Sequence, residues 1–428
     1  MRGDLPISIE RGLLVDGTGA PARLGSLLVV DGRIARLGAE GPLPQGCRRF
    51  DAAGLVVSPG FIDAHGHDDS VLLEEGGMRP KLSQGVTAVV AGNCGIALAP
   101  LRLGQGEAPP PPLNLLGASA AFAYRSHAEY FRALRAARDG RGPELAAAVL
   151  GGHSALRVAF CADWRAPASP AELAAMLRAL EEGFDAGLAG FSSGLAYATN
   201  RAAPRGEASA LAAAAARRGK PFAIHIRDEY EGMWGALDEA IAIARESGAV
   251  LILSHQKLAG PGNRGRAQDL LERIDRASRD VELYFDAYPY EAGSTVLEPE
   301  SVRQSRRVVI TWSEARPDLA GLDLDEATAR LGLPRDEAIA ALQPAGAIYF
   351  HMDERDVAAL LSHPRCMLGS DGLPRDERPH PRLYGAFARF LGVYVRERGI
   401  LGLPEAVRKM TSLPAKVFGL EGRGVLRE

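Results

Sequence analysis

The chain has 428 residues, enough for one large barrel of about 250 residues or more and a smaller accessory unit. Its 50 Lys and Arg nearly balance 53 Asp and Glu, giving a net charge of −3, and there is no long basic block. These features argue against nucleic acid as a partner. The N-terminal residues lack the apolar core of a secretory signal, and no apolar run approaches the ~18–20 residues that cross a bilayer. A cytosolic protein without membrane partners is therefore expected. Cys47, Cys94, Cys161 and Cys366 are widely separated, which suits neither a disulfide framework nor a structural zinc knuckle.

Residues 1–57 read as the N-terminal part of a small β domain. Turns are expected at Asp16-Gly17 and Asp31-Gly32, dipeptides suited to tight hairpins between strands such as Ser26–Val30 and Arg33–Leu37. From there to residue 417, short apolar runs alternate with helix-forming stretches, as in parallel strands joined by crossover helices. Eight strands are predicted: Val57–Asp63, Val86–Gly92, Leu145–Gly151, Leu188–Ser192, Phe222–Ile226, Val250–Ser254, Val281–Ala287 and Cys366–Ser370. The fold class that follows is α/β, a (β/α)8 TIM barrel over residues 58–417. Gly104–Leu116, with its prolines, is expected to be irregular. Thr295–Gly346 is a lid-like insertion with helical segments, and Ala208–Ala216 fits an ordinary barrel helix.

Reactive groups of such barrels lie at the C-terminal ends of the strands. After the first strand come His65 and His67, after the second Cys94, after the fifth His225, after the sixth His255, and after the eighth Asp371. Alternation along an extended segment points His65 and His67 to one side. Each residue alone has an ordinary reading as a hydrogen-bonded histidine, a buried thiol or a turn aspartate. Their joint placement after five strand ends points instead to a metal site whose nitrogen, sulfur and oxygen donors suit zinc. Six donors exceed four-coordination. Either Cys94 bridges two ions, or one tight site is filled and the remaining groups serve a weaker site or substrate. Zinc-activated water implies hydrolysis, with Asp371 as the proton carrier between water and the leaving amine.

Longer segments carry a resemblance. They are Pro59-Gly60-Phe61-Ile62-Asp63-Ala64-His65-Gly66-His67-Asp68-Asp69, Gly92-Asn93-Cys94-Gly95, Gly190-Phe191-Ser192-Ser193-Gly194 and His225-Ile226-Arg227-Asp228-Glu229. With them go Ser254-His255-Gln256-Lys257, Tyr288-Pro289-Tyr290, Gly293-Ser294-Thr295, Ser370-Asp371-Gly372 and His380-Pro381-Arg382-Leu383-Tyr384-Gly385. Over nearly its whole length the chain resembles the amidohydrolase superfamily, and within it the D-aminoacylases, or N-acyl-D-amino-acid deacylases.

The resemblance implies zinc-dependent hydrolysis of N-acyl-D-amino acids to a carboxylate and a free D-amino acid. It implies one tight zinc held by Cys94, His225 and His255, and a second, weaker site involving His65, His67, Cys94 and Asp371. Asp371 becomes the catalytic base and then acid, and the substrate carboxylate is gripped by Arg382 with Lys257, Tyr288 and Ser294. A planar guanidinium suits that task because it pairs with a carboxylate through two hydrogen bonds.

His153 is expected in a supporting or structural role, Arg227, Asp228 and Glu229 are candidates to support the site, and His127, His351 and His363 are expected to be structural. The family continues past the segment matching 422–428 into further strands. Residues 418–428 are therefore expected to be a shortened return toward an incomplete small β domain, a β-sandwich.

Two other readings compete. One is a dipeptidase for peptides ending in a D-residue, or another amidase on the same barrel. The other is a catalytically silent scaffold, which the full set of predicted ligands disfavours. Neither acyl length nor oligomeric state is encoded legibly.

Overall fold

The computed structural model describes residues 5–38 and 41–428. Two compact units are present, residues 63–388 and a second comprising 1–62 with 389–428.

The larger unit is organised by a parallel sheet of eight strands. In chain order these are β1 (Phe61–Asp63), β2 (Val86–Ala91), β3 (Ala146–Gly152), β4 (Gly190–Gly194), β5 (Phe222–His225), β6 (Leu251–Leu253), β7 (Leu283–Ala287) and β8 (Cys366–Leu368). Neighbours in sequence are neighbours in space, and only the β1–β8 contact is missing from the strand order itself. The segments that follow these two strands supply it. Ala64 N–H donates to Leu368 O at 3.2 Å, Asp371 N–H to His65 O at 2.8 Å, and Gly66 pairs in parallel with Gly372. The result is the predicted (β/α)8 barrel. Its strands are buried on both faces, and for that reason they read as continuous apolar runs rather than alternating ones.

The predicted strands are all present with shifted ends. The largest change is at the first. Val57 pairs with Leu14 in the other unit's sheet, and Pro59-Gly60 separates it from β1. Proline has no N–H to give a ladder, so the run breaks there.

Between β7 and β8 lies an insertion with its own architecture. Strands Ala292–Val296, Ala345–Phe350 and Arg307–Ser313 form an antiparallel sheet in that spatial order. Helices Leu324–Leu331 and Arg335–Leu342 bury Leu324, Ala327, Ile339 and Leu342 against Val308, Ile310 and Ala347 of that sheet. Helical segments were expected here; the sheet, which also takes in residues outside 295–346, was not. Arg205–Arg217 is the expected Ala-rich helix.

In the smaller unit Ile7–Leu14 pairs antiparallel with Arg23–Val30, which pairs with Arg33–Gly38. Asp31-Gly32 forms the predicted tight turn, with φ of 50° and 72°. Asp16-Gly17 does not. Leu14 pairs with Arg23, so residues 15–22 make a longer loop, in which Asp16 accepts from the backbone N–H of Thr18 at 2.9 Å. Among the described residues no helix is long and apolar enough to cross a membrane.

Candidate active site

The ends of β1, β5, β6 and β8 and the turn after β2 deliver all six predicted donors to one place. Three of them require unusual backbone. Cys94, His255 and Asp371 have φ of 57°, 36° and 51°, among only seven described residues other than glycine with positive φ. Such conformations cost about 1–3 kcal/mol each and persist where the surroundings over-determine them. Cys94 is carried by a turn entered through Gly92, at φ 78°, where a Cβ would lie 2.3 Å from Leu150 O.

Cys94 Sγ lies 3.2 Å from both His65 Nε2 and His255 Nε2, and His225 Nδ1 is 2.9 Å from His255 Nε2. Asp371 Oδ1 is 3.2 Å from His67 Nε2 and 3.6 Å from His65 Nε2. Donor atoms fall into three overlapping groups: His65, Cys94 and His255; His65, His67 and Asp371; and His225, Glu229 and His255. Cys94 and His225 are thus linked through His255, while His65 belongs both with Cys94 and with Asp371.

Burial dominates the protonation of this cluster. It pushes His65 and His225 down to about 3 and lowers His255, so these imidazoles are neutral, the form that ligates metals. Burial also raises the Cys94 thiol well above its ordinary value, and the carboxylates of Asp371 and Asp286 add to the effect. A thiol, neutral imidazoles and carboxylates crowded together out of water form a cation-seeking donor set, and a divalent ion reverses the balance at Cys94 by favouring the thiolate. His67 Nδ1 is buried without a partner. The residues present therefore fit a zinc-type ion.

Two residues orient the cluster, Asp286, which was not anticipated, and Glu229, which was expected among the supports of the site. Asp286, at the end of β7, accepts from His65 Nδ1 at 3.1 Å through Oδ2 and from the His255 backbone N–H at 2.9 Å through Oδ1. Burial raises it to about 8, and a cation held by His65 and its neighbours would favour the ionised carboxylate. A carboxylate behind a ligating histidine fixes the ring and directs its other nitrogen at the metal. The signal for it in the sequence was an acid inside the apolar run Leu283-Tyr284-Phe285-Asp286-Ala287. Glu229 Oε1 lies 2.5 Å from Lys257 Nζ and 3.2 Å from His255 Nδ1. Lys257 Nζ is itself 2.8 Å from His255 Nδ1. Burial opposes the Glu229 charge, but the Lys257 ammonium and a hydrogen bond with His255 hold the carboxyl well below its usual range.

The remaining predicted groups line a cavity of about 550 Å³ with His67, His225, His255 and Asp371. Arg382 Nη1 lies 2.8 Å from Asp371 Oδ2, its Nη2 donates to Ser294 O at 2.8 Å, and its guanidinium lies 4.7 Å from the centre of the Tyr288 ring. Arg382 Nε and the Tyr288 hydroxyl are buried without partners. Ser294 presents its carbonyl to Arg382 while its own hydroxyl donates to Ala347 O at 3.2 Å. Burial opposes the Asp371 charge, yet the Arg382 guanidinium and a hydrogen bond with His67 hold that carboxyl well below its ordinary value.

Arg227 pairs with Glu239 at 2.8 Å, and Asp228 accepts from the backbone N–H groups of Tyr230 and Gly232, so both shape the loop. His153 lies away from this cavity, bonded to Ser193 Oγ and Glu207 at 2.9 Å each. His363 contacts Asp275 at 3.1 Å and His127 is buried. His351, expected to be structural, lines the cavity.

A second buried cluster supports the metal-facing segments. Lys81 Nζ bonds Asp63 Oδ2 at 2.5 Å and Ser370 Oγ at 2.6 Å, while Asp63 Oδ1 accepts from the Ser370 backbone N–H at 2.8 Å. It ties the ends of β1 and β8 together one residue before Asp371. No pattern in the sequence singles out Lys81.

An amidohydrolase family profile matches residues 48–280 and 267–428. The N-acyl-D-glutamate deacylase of Alcaligenes xylosoxydans xylosoxydans is 45% identical over 427 residues, covering 100% of this chain and 86% of that protein. A D-aminoacylase structure, described through the binuclear metal centre with activation by one metal and attenuation by a second, superposes with a TM-score of 0.92. It has 43% identity and is covered to 87%, with 98% of this chain matched. The N-acyl-D-glutamate deacylase of Bordetella bronchiseptica, complexed with zinc and a phosphonate mimic of the tetrahedral intermediate, superposes at 0.94 with 45% identity. That match covers 99% of this chain and 88% of the other. The chain belongs to the amidohydrolase family, among the N-acyl-D-amino-acid deacylases.

Proposed function

We propose that this protein hydrolyses the amide bond of N-acyl-D-amino acids, releasing a carboxylate and a free D-amino acid. The observation that carries the reading is the meeting of a metal-ligand cluster with Arg382 across Asp371, which touches both. Cys94, His225 and His255 would hold a tight zinc ion, and His65, His67 and Asp371, with Cys94, a second and weaker one. When bound, such an ion lowers the pKa of water toward neutrality and polarises a carbonyl oxygen.

The chain's own residues supply the rest. Asp371, held as a carboxylate, accepts a proton from the attacking water and delivers it to the departing amine nitrogen, which would otherwise leave as an unstable anion. Arg382 binds the substrate carboxylate, and Lys257, the Tyr288 hydroxyl and Ser294 complete its surroundings. The unpartnered Arg382 Nε and Tyr288 hydroxyl support this role, since buried donors left alone cost about 1–3 kcal/mol each and a carboxylate satisfies them. The D configuration is proposed from the relatives, which are described as acting on D-amino acid derivatives. We place the enzyme in the cytosol because its four cysteines are widely separated in the sequence and suit no disulfide framework.

Matched N-acetyl-D- and N-acetyl-L-amino acids test this reading, with and without a chelator and with zinc restored. Faster cleavage of the D-series, abolished by chelation and recovered with zinc, is expected. Faster cleavage of the L-series, or turnover indifferent to chelation, overturns it.

A further inference from the structure

His351 follows the return strand of the insertion, Ala345–Phe350, and is buried at 4% exposure. Its two nitrogens have different surroundings. Nδ1 lies 3.1 Å from the Tyr230 hydroxyl, whereas Nε2 is buried without a partner and belongs to the cavity wall. A buried imidazole nitrogen with nothing to bond costs free energy that a purely structural histidine has no reason to incur.

The space it faces is made by Gly293. A Cβ at that position would lie 3.1 Å from His351 Nε2 and 3.3 Å from the Tyr288 hydroxyl, a second unpartnered buried group. Both atoms therefore converge on the bare Cα of Gly293. The next residue along the same strand is Ser294, whose carbonyl holds Arg382 Nη2. The Arg382 guanidinium lies 4.7 Å from the centre of the Tyr288 ring, and His351, Tyr288 and Arg382 line the same cavity, so the two orphan groups and the guanidinium face one space. The electrostatics agree. Burial drives the His351 imidazole down to about 3 and keeps it neutral, and the charges acting on it are the cations Lys257, Arg382 and Arg306 against the single anion Glu229. An anionic ligand is favoured there.

We infer that His351 is a substrate-binding residue, donating from Nε2–H to a remaining lone pair of the substrate α-carboxylate held by Arg382, alongside the Tyr288 hydroxyl. This rests on the hydrolase reading above. Tyr230 sets the tautomer: its hydroxyl, kept protonated by burial, donates to Nδ1 and leaves the imidazole hydrogen on Nε2.

The test uses the zinc-loaded enzyme, an N-acetyl-D-amino acid and the corresponding α-carboxamide. A hydrogen bond to a charged group is worth roughly a tenfold change in affinity or more. His351→Leu is expected to raise KM for the acid roughly tenfold, leave kcat within about twofold and zinc content unchanged, and barely alter the amide. The conservative variants separate binding from support, because a Gln side chain places its amide near Nε2 and an Asn side chain near Nδ1. Restoration by His351→Gln and not by His351→Asn supports the inference. Restoration by Asn alone assigns His351 to holding Tyr230 and overturns it, as does an equal rise in KM for acid and amide. An active wild type whose KM survives His351→Leu overturns this inference alone. A wild type that cleaves no N-acyl-amino acid overturns the hydrolase reading, and this one with it.

Discussion

Arg382 and Asp371 face each other at 2.8 Å with both side chains buried, so the proposed carboxylate-binding residue and the proposed proton carrier are partners. In the proposed complex the substrate carboxylate and Asp371 would share one guanidinium. Arg382→Met is expected to raise KM for N-acyl-D-amino acids about a hundredfold, as loss of a two-bond charged contact implies, and to affect the α-carboxamides much less. Arg382→Lys recovers only part, because an ammonium lacks the planar fork. A pH consequence accompanies this. The guanidinium stabilises ionised Asp371, so its removal raises the Asp371 pKa and moves the acid limb of kcat/KM to higher pH. An unshifted limb, or acids and amides weakened alike, would refute the shared contact.

Asp286 reaches both His65, through Nδ1, and the His255 backbone. Asp286→Asn keeps the shape and removes the carboxylate. It is expected to weaken zinc binding or activity about 10–100-fold, the usual effect of losing an orienting carboxylate. Competition against a chromophoric chelator measures this directly, and wild-type zinc affinity in the variant would show that Asp286 does not orient the ligand.

The barrel and the convergence of the six candidate donors were legible because both depend on local pattern. A doubly buried parallel strand must be continuously apolar, and a residue just past its end must face the barrel mouth. Val57 was misplaced because a strand that serves another sheet and one that opens the barrel look alike across Pro59-Gly60. Asp16-Gly17 misled for a related reason: the dipeptide marks a bend without fixing how many residues the loop contains. Glu229, Asp286, Lys81 and His351 act through partners more than twenty residues distant in most cases, and no spacing rule reports on such contacts. His351 and His363 are indistinguishable along the chain, yet one lines the cavity and the other meets Asp275.

Gly92 gives Cys94 its position. At φ 78°, and with Leu150 O only 2.3 Å from where a Cβ would stand, Gly92→Ala is both strained and obstructed by backbone. The obstruction cannot rotate away, so the turn must shift and carry Cys94 with it. The expected result is a lower melting temperature, from a strain of about 1–3 kcal/mol, together with reduced zinc content. Full zinc retention at unchanged stability would mean that the turn tolerates a side chain.

The last prediction concerns Glu207, which is buried between His153 and Arg157 away from the catalytic cavity. Arg157 is fully buried and also donates to the carbonyls of Thr199 and Trp164 at 2.8 and 2.9 Å, so it cannot swing out to water if its carboxylate is removed. Glu207→Gln is expected to cost roughly 3–5 kcal/mol at neutral pH, the usual effect of leaving one member of a buried pair uncompensated. Burial opposes the Glu207 charge, but His153 and Arg157 overcome it and bring the carboxyl from 4.5 to about 2. A folded-state pKa below the unfolded one gives stability that is complete above 4.5 and is lost as pH falls toward 2. His153 acts in the same sense, because burial lowers its pKa below 6.5 and protonation then favours the unfolded chain. Wild-type stability should therefore decline on acidification, with His153 contributing below 6.5 alongside the other buried imidazoles and Glu207 contributing below 4.5 alongside Glu229 and Asp371. In Glu207→Gln the decline below 4.5 is shallower, which unfolding measured as a function of pH will show; a variant with the wild-type slope below 4.5 would remove Glu207 from the account of acid sensitivity.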